Sequence, residues 1–370
     1  MSFKKRLMEI ISANSPVNDE VYQTSLMSKV IKLDQNIDEA LQRFNVTAPM
    51  DNMTSPIILR TGGIGDLIAL SSIAAYIPEH LDILSKNMKF VSQEKYRAIF
   101  KWFKKPIEFI SYFAPVSSWT GSIMSKKKTF VNNRPIFYEG VIENSKKNWF
   151  DLQYEQIGLN LDHDYGRPML KTKRISKAPS NIDASKQSIL INPRSTAIIR
   201  SMRYEDIYYA IVKIIGDADI NLYVHARNLV EADKKFIINT KEHDPRIKII
   251  QANSLDQFFL DTFDADLTIS VDTAMLHFRE GVERPAIGIY GPFPFECRTQ
   301  YYKHTYSFNL FSTCDKMPCF IHVKKPDEIC DKQQQLINSG RYSQDNFWTA
   351  PCCCQAYNDT VDEQLYDKMK

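Results

Sequence analysis

The sequence predicts a doubly wound α/β protein of two domains, on three observations. The chain has 370 residues, twice a common domain size. Short apolar, β-branched runs alternate with helical stretches throughout its second half. Two of these runs, PIILR (56–60) and DLTISV (266–271), lead directly into turns built to open a helix. An apolar share of 44% and an aromatic share of 12% allow sizeable cores.

Residues 1–50 are polar with helical spacing (Leu7, Ile10, Ile11; then Ile37, Leu41, Phe44) and are expected to pack on the first domain. PIILR is the first clear strand. TGGIGD follows it, then an apolar helix, LIALSSIAAYI. Gly62, Gly63 and Gly65 permit positive φ and close backbone approach to a ligand. Asp66 falls where strand becomes helix, with its carboxylate directed into the crevice; the plainer reading is a helix-capping acid. The turn is neither the dinucleotide fingerprint nor a Walker A loop. MKFVS (88–92) and IEFI (107–110) read as further strands, with a helix over 96–104.

Charge is uneven. The net charge is +3, yet residues 86–147 hold thirteen basic residues against four acids. Trp102, Phe103, Tyr112, Phe113 and Trp119 interleave with these lysines. A basic, aromatic-rich face suggests an anionic partner that stacks on rings. A solvated lysine face over ordinary core aromatics accounts for the same pattern. Lys126, Lys127 and Lys128 are the candidate acceptor contacts.

Residues 175–187, ISKAPSNIDASKQ, read as a linker. The second domain then alternates regularly. Strands are expected at 188–192, 220–225, 246–250, 266–271 and 286–290, with helices at 204–215, 228–239, 254–263 and 274–283. This pattern means a parallel sheet, right-handed crossovers and ligands at the carboxyl ends of the strands. Asp272 and Thr273 are N-cap types. Met275, Phe278 and Val282 share one helix side, and Pro285 stops the helix. A helix opening off a parallel strand aims its free N–H groups at the crevice, a site for phosphate or diphosphate. The Asp-x-Asp strings at 217–219 and 264–266 precede strands, at the wrong end for that crevice, and read as loop acids.

No stretch approaches the ~20 apolar residues of a membrane helix, and Glu9 interrupts an N-terminal run too short for a signal peptide. The expected location is the cytoplasm. Six of the seven cysteines fall late, from Cys314 onward. Paired Cys-x-x-Cys knuckles are missing. Free thiols in a reducing cytosol are one reading; a structural zinc site on Cys314, Cys319 and Cys330 is another.

TGGIGDLIALSSI and SVDTAMLHFREGVERPAIGIYGPF together resemble the lipopolysaccharide heptosyltransferase family, glycosyltransferase family 9. The matching residues are Gly65-Asp66, Asp272-Thr273, His277, Pro285 and Tyr290-Gly291-Pro292, and Arg200 falls at the family's basic position. The sequence departs from the family at Ala274 (usually Gly), at Met202-Arg203 (usually Trp-Pro) and at Ser72 (usually Pro). The resemblance implies the GT-B arrangement, two Rossmann-like domains facing across a cleft. It implies an acceptor-binding domain over 1–180 with a helical N-terminal extension, a nucleotide-sugar-binding domain over 188–345, and a Cys-containing tail, 346–370, packing back on the first domain. It implies an inverting glycosyltransferase that requires no cofactor for catalysis and whose donor is a nucleotide diphosphate sugar. Asp66 would be the general base. Gly63, Gly65, Arg194, Arg200, Asp272, Thr273, Ala274, His277 and Gly291 would line the donor side, although a core histidine explains His277 equally well. No metal is expected at the reaction centre. The basic first half favours hydroxymethylated cytosine in bacteriophage DNA as acceptor. Lipopolysaccharide core or another saccharide is the second reading, and a non-catalytic nucleotide-sugar or nucleic-acid-binding module the third.

Overall fold

The computed structural model describes residues 57–60, 63–80, 89–112, 121–124, 147–156, 163–195, 200–291, 294–310 and 366–369. The expectations for residues 1–50, Gly62, Lys126–Lys128, Trp119, Pro292 and the six late cysteines lie outside them.

Among the described residues the chain is α/β with two sheets. The first contains β1 (Ile57–Arg60), β2 (Lys89–Gln93), β3 (Glu108–Tyr112) and β4 (Gly121–Met124), in the order β3-β2-β1-β4. β1, β2 and β3 are parallel; β4 runs antiparallel to β1, with Ile57 opposite Met124 and Arg60 opposite Gly121. Around this sheet lie α1 (Ile64–Ala69), α2 (Ser71–His80), α3 (Arg97–Phe100) and α4 (Trp149–Gln156). The apolar stretch predicted as one helix is two. The Ser71 hydroxyl donates to the Ile68 carbonyl at 2.6 Å and accepts from the Met169 amide at 2.8 Å, and the helix breaks at Leu70.

The second sheet is entirely parallel. Its strands are β5 (Gln187–Asn192), β6 (Ile220–His225), β7 (Ile247–Ile250), β8 (Leu267–Val271), β9 (Ala286–Tyr290) and β10 (Thr305–Asn309), in the order β10-β9-β8-β5-β6-β7. This is the dinucleotide-fold order, with its switch point between β5 and β8. The intervening helices are α5 (Tyr204–Ile215), α6 (Glu231–Lys241), α7 (Leu255–Asp264) and α8 (Ala274–Gly281). Both faces of the sheet are covered, as a parallel sheet requires. Ile191, Leu222, Val224 and Ile269 pack under α5 and α6 with Ile207 and Ile237. Leu190 and Tyr223 face Met275 on the opposite side.

The two sheets meet through a shared core. Trp102 of the first domain stands edge-on to Phe278 at 5.0 Å and lies beside Phe263 at 5.3 Å; Phe259 stacks on Phe278 at 4.6 Å. Leu67, Ile68, Phe103 and Phe150 belong to the same cluster. Trp102 and Phe103 are fully buried, so they are core residues rather than a stacking platform. The predicted linker and the residue before it are pinned to α7. Arg174 pairs with Asp264 at 2.9 Å, and the Asn181 amide donates to Asp261 at 2.7 Å.

The tail reading is corrected where it can be seen. Residues 366–369 are helical and lie against the second domain. Lys213 of α5 sits 4.1 Å from the Tyr366 ring centre, and Met369 packs on the cluster under α5 and α6. The contacts are of two kinds, the Lys213 ammonium over the Tyr366 ring and Met369 against the apolar cluster.

Candidate active site

Two helix starts converge. Gly63 precedes α1 with φ +53°, a left-handed conformation that glycine adopts freely. A Cβ there would overlap the Asp66 carboxylate, which folds back over the turn. Asp66 is the third residue of α1, in its first turn, and partly exposed. At Gly65 a Cβ would lie 2.8 Å from His277 Cδ2 and 3.6 Å from Ala274 Cα. The Gly65 backbone therefore makes its close approach to α8 of the other domain, where the sequence suggests a ligand. The glycine turn and the α8 N-terminus are thereby held face to face.

On the second domain, Thr273 caps α8 by accepting from the Met275 amide at 3.3 Å. Asn192, at the carboxyl end of β5, donates to Thr273 Oγ1 at 3.0 Å and to Ser270 Oγ at 3.1 Å. Asn192 in turn accepts from Asn228 at 2.9 Å. These bonds fix the helix start at the β5/β8 switch point, where the Met275 amide donates to Thr273 Oγ1 and the Leu276 amide to the Thr273 carbonyl at 3.2 Å.

Asp272, read from sequence as a cap, has another role. It is buried and accepts from Arg200 Nη1 at 2.9 Å. Burial pushes its carboxyl pKa up, but the charges of Arg200 and Arg298 outweigh this and hold it below the ordinary value. Arg298 is itself buried, with its guanidinium 5.0 Å from the Trp149 ring centre. His277 is buried between the domains. Its Nδ1 bonds the Tyr302 hydroxyl at 2.7 Å, its ring lies 4.7 Å from Trp149, and Nε2 is 3.9 Å from Asp272. Burial pushes His277 down to about 4, against the opposing pull of Asp272 and Asp66. The ring is neutral at pH 7.

Not every predicted residue joins this cluster. Arg194 is buried in an ion pair with Asp233 of α6, at 2.7 Å. Asp233 also accepts from the Tyr204 and Val230 amides at 3.1 and 3.3 Å, so Arg194 braces two helix starts. Gly291 ends β9 beside open space: a Cβ there meets nothing within 4 Å. Sequence reasoning missed Arg298, Trp149 and Tyr302. None belongs to a motif; the only available signal was the aromatic pair Trp149-Phe150 after a lysine run.

One parallel sheet of dinucleotide-fold order and a second α/β domain packed against the start of its α8 make up a GT-B-type fold. Residues 118–329 match the model of glycosyltransferase family 9 (heptosyltransferase), more than half of the chain, and the chain belongs to that family. The protein is thus a glycosyltransferase that draws on a nucleotide-sugar donor.

Among solved structures, the family 9 glycosyl transferase from Veillonella parvula DSM 2008 is similar at 11% identity and TM-score 0.50, over 85% of this chain and 95% of that one. The E. coli ADP-heptose lps heptosyltransferase II aligns over 70% of this chain and 91% of its own, at 12% identity and TM-score 0.46. The iron-containing dodecameric glycosyltransferase TibC from enterotoxigenic E. coli H10407 aligns over 85% and 76%, at 12% identity and TM-score 0.46. No curated protein matches the chain by sequence.

Proposed function

We propose that the protein is an inverting transferase whose reaction runs between Asp66 on one domain and the α8 N-terminus on the other. The observation that carries this is the apposition of the two helix starts, with Gly65 against Ala274 and His277. The donor's diphosphate lies at the positive end of the α8 dipole, beside Arg200. Asp66 takes the proton from an acceptor hydroxyl. The acceptor oxygen then bonds the sugar's anomeric carbon while the bond from that carbon to phosphate breaks. The electron pair leaves with the diphosphate, and Arg200 offsets the charge that grows there. Asp272 and Arg298 are positioning residues that hold Arg200 and His277 in place. Removing Arg200 as Arg200→Ala should weaken nucleoside diphosphate binding by roughly tenfold or more, the worth of one charge-assisted contact. Unchanged affinity in calorimetry would remove Arg200 from the donor site.

For the acceptor, family membership supports a phosphorylated saccharide such as lipopolysaccharide core. The DNA reading rested on Lys126, Lys127 and Lys128, which lie outside the described residues, and on Trp102 and Phe103, which are core. Mass spectrometry of lipopolysaccharide and DNA from cells making the protein decides between them. A mass gain on the saccharide alone is the expected result; a gain on DNA alone would reverse the choice.

A further inference from the structure

A second concave surface lies at the opposite end of α8 from the candidate donor site. An eight-residue helix separates the two by about 12 Å. Its origin is a backbone bridge between two lysine-rich segments, KWFKK (101–105) and KTKR (171–174). Phe103 pairs antiparallel with Leu170. The Lys104 amide donates to the Met169 carbonyl at 3.1 Å, and the Lys171 amide to the Trp102 carbonyl at 2.7 Å. Beside this bridge is a basin of about 560 Å³, bordered by Lys104, Lys171, Lys173 and Arg174. Its floor includes Leu170 and Gly281, and only Gly281 lets the floor form: a Cβ there would sit 2.6 Å from Leu170 Cγ.

The charge balance of this basin is one-sided. Glu283, its one lining acid, already pairs with Arg167 at 3.3 Å. The nearby acids are also engaged, Asp264 by Arg174 and Asp256 by Lys101. Lys104 and Lys173 form no ion pair among the described residues. The end of a helix carries partial negative charge, which opposes an anion. Here that charge is muted, because the last carbonyls of α8 are occupied. Gly281 accepts from Leu170, Glu280 from Glu283, and Arg279 from Arg284, at 3.1, 3.1 and 2.9 Å.

We propose that this basin is a second anion site, separate from the donor site, that takes a small phosphate-bearing ligand. Lys104 and Lys173 contact the phosphate from two walls, and the apolar floor accommodates the ligand's carbon body. The site stands on charge and shape alone and does not depend on the transferase reading. Because its walls come from the first domain, the connecting segment and the end of α8, an occupant would touch all three.

The test is calorimetry on the full chain with inorganic tripolyphosphate as probe, with ADP held at a concentration that fills the Arg200-dependent site but leaves Lys104→Ala/Lys173→Ala and the wild type equally loaded with nucleotide. The expected result is one remaining site that weakens as salt rises. It should weaken by at least about tenfold in Lys104→Ala/Lys173→Ala. It should be unaffected in Arg200→Ala. Both lysines are at the surface, and a thermal melt checks that the double variant stays folded. Absence of any ADP-independent binding in the wild type, or full binding in the folded double variant, would overturn the proposal. Loss of this binding together with the donor site in Arg200→Ala would also overturn it, by showing that there is one anion site.

Discussion

At the residue scale, buried charges at the site are arranged in compensated sets. Asp272 accepts from Arg200 at 2.9 Å, and Arg194 pairs with Asp233 at 2.7 Å. Removing one partner of such a set leaves an uncompensated charge, so Arg194→Ala should cost about 3–5 kcal/mol of stability, read from denaturant unfolding. A loss below about 1 kcal/mol would show that Arg194 does not brace the α5 and α6 starts. Two buried histidines predict an acid-side weakness. Burial pushes both His225 and His277 down to about 4, below the ordinary 6.5. The unfolded chain therefore binds more protons between these values, and stability falls as pH drops from about 6.5 toward 4. Replacing either histidine with Asn should flatten that slope; an unchanged slope would assign the acid sensitivity to other groups. The sequence singles out Asp66, Arg200 and Asp272 as candidates but does not show that Arg200 and Asp272 pair. Arg200 and Asp272 are 72 positions apart, and nothing local distinguishes a capping aspartate from one that anchors an arginine. Arg194 shows the same limit: it was read as a donor contact, and only the folded chain brings it to Asp233.

At the element scale, the second domain was legible almost throughout. Continuous apolar strands such as SILIN and INLYVH alternate with helices whose period is clear, and the observed bounds of α5, β6 and β9 are those predicted. Failures have local causes. The edge strand β10, TYSFN, carries three polar residues in five and gives little apolar signal. α6 begins at Glu231, later than its pattern suggests, because Asp233 accepts from the Val230 amide and sets the start there. Glycine sets the packing of α8 at both ends. In Gly65→Ala the new Cβ meets His277 at 2.8 Å, and in Gly281→Ala it meets Leu170 at 2.6 Å. Alanine gains up to about 1 kcal/mol of helix propensity, while overpacking costs about 1–3 kcal/mol. Packing wins, so both variants should melt at lower temperature than the wild type. Gly65→Ala should also reduce transfer more than Gly281→Ala, since only the former pushes the two helix starts apart. Equal activity in the two variants would deny that the apposition matters.

At the scale of the whole molecule, the two domains share one core. Leu67, Trp102 and Phe150 from the first pack with Phe259, Phe263 and Phe278 from the second. An apolar joint of this kind departs from the polar, loosely held contact expected between mobile domains. The described domains should therefore unfold in a single calorimetric transition. Trp102→Ala should lower stability by about 3–5 kcal/mol. Two well-separated transitions in the wild type would refute the shared core. The sequence announced the aromatics of this joint but not their destination, because aromatics among lysines fit a buried seam and a stacking surface equally well. No helix among the described residues is long and apolar enough to cross a membrane. The proposed reaction needs the Asp66 carboxylate of one domain to work opposite Arg200 and the α8 start of the other. Asp66→Asn measures it most directly, with sugar transfer and nucleoside diphosphate affinity determined on the same preparation. Transfer should fall by about 10²–10⁴-fold with affinity nearly unchanged; transfer at the wild-type rate would remove Asp66 as the base.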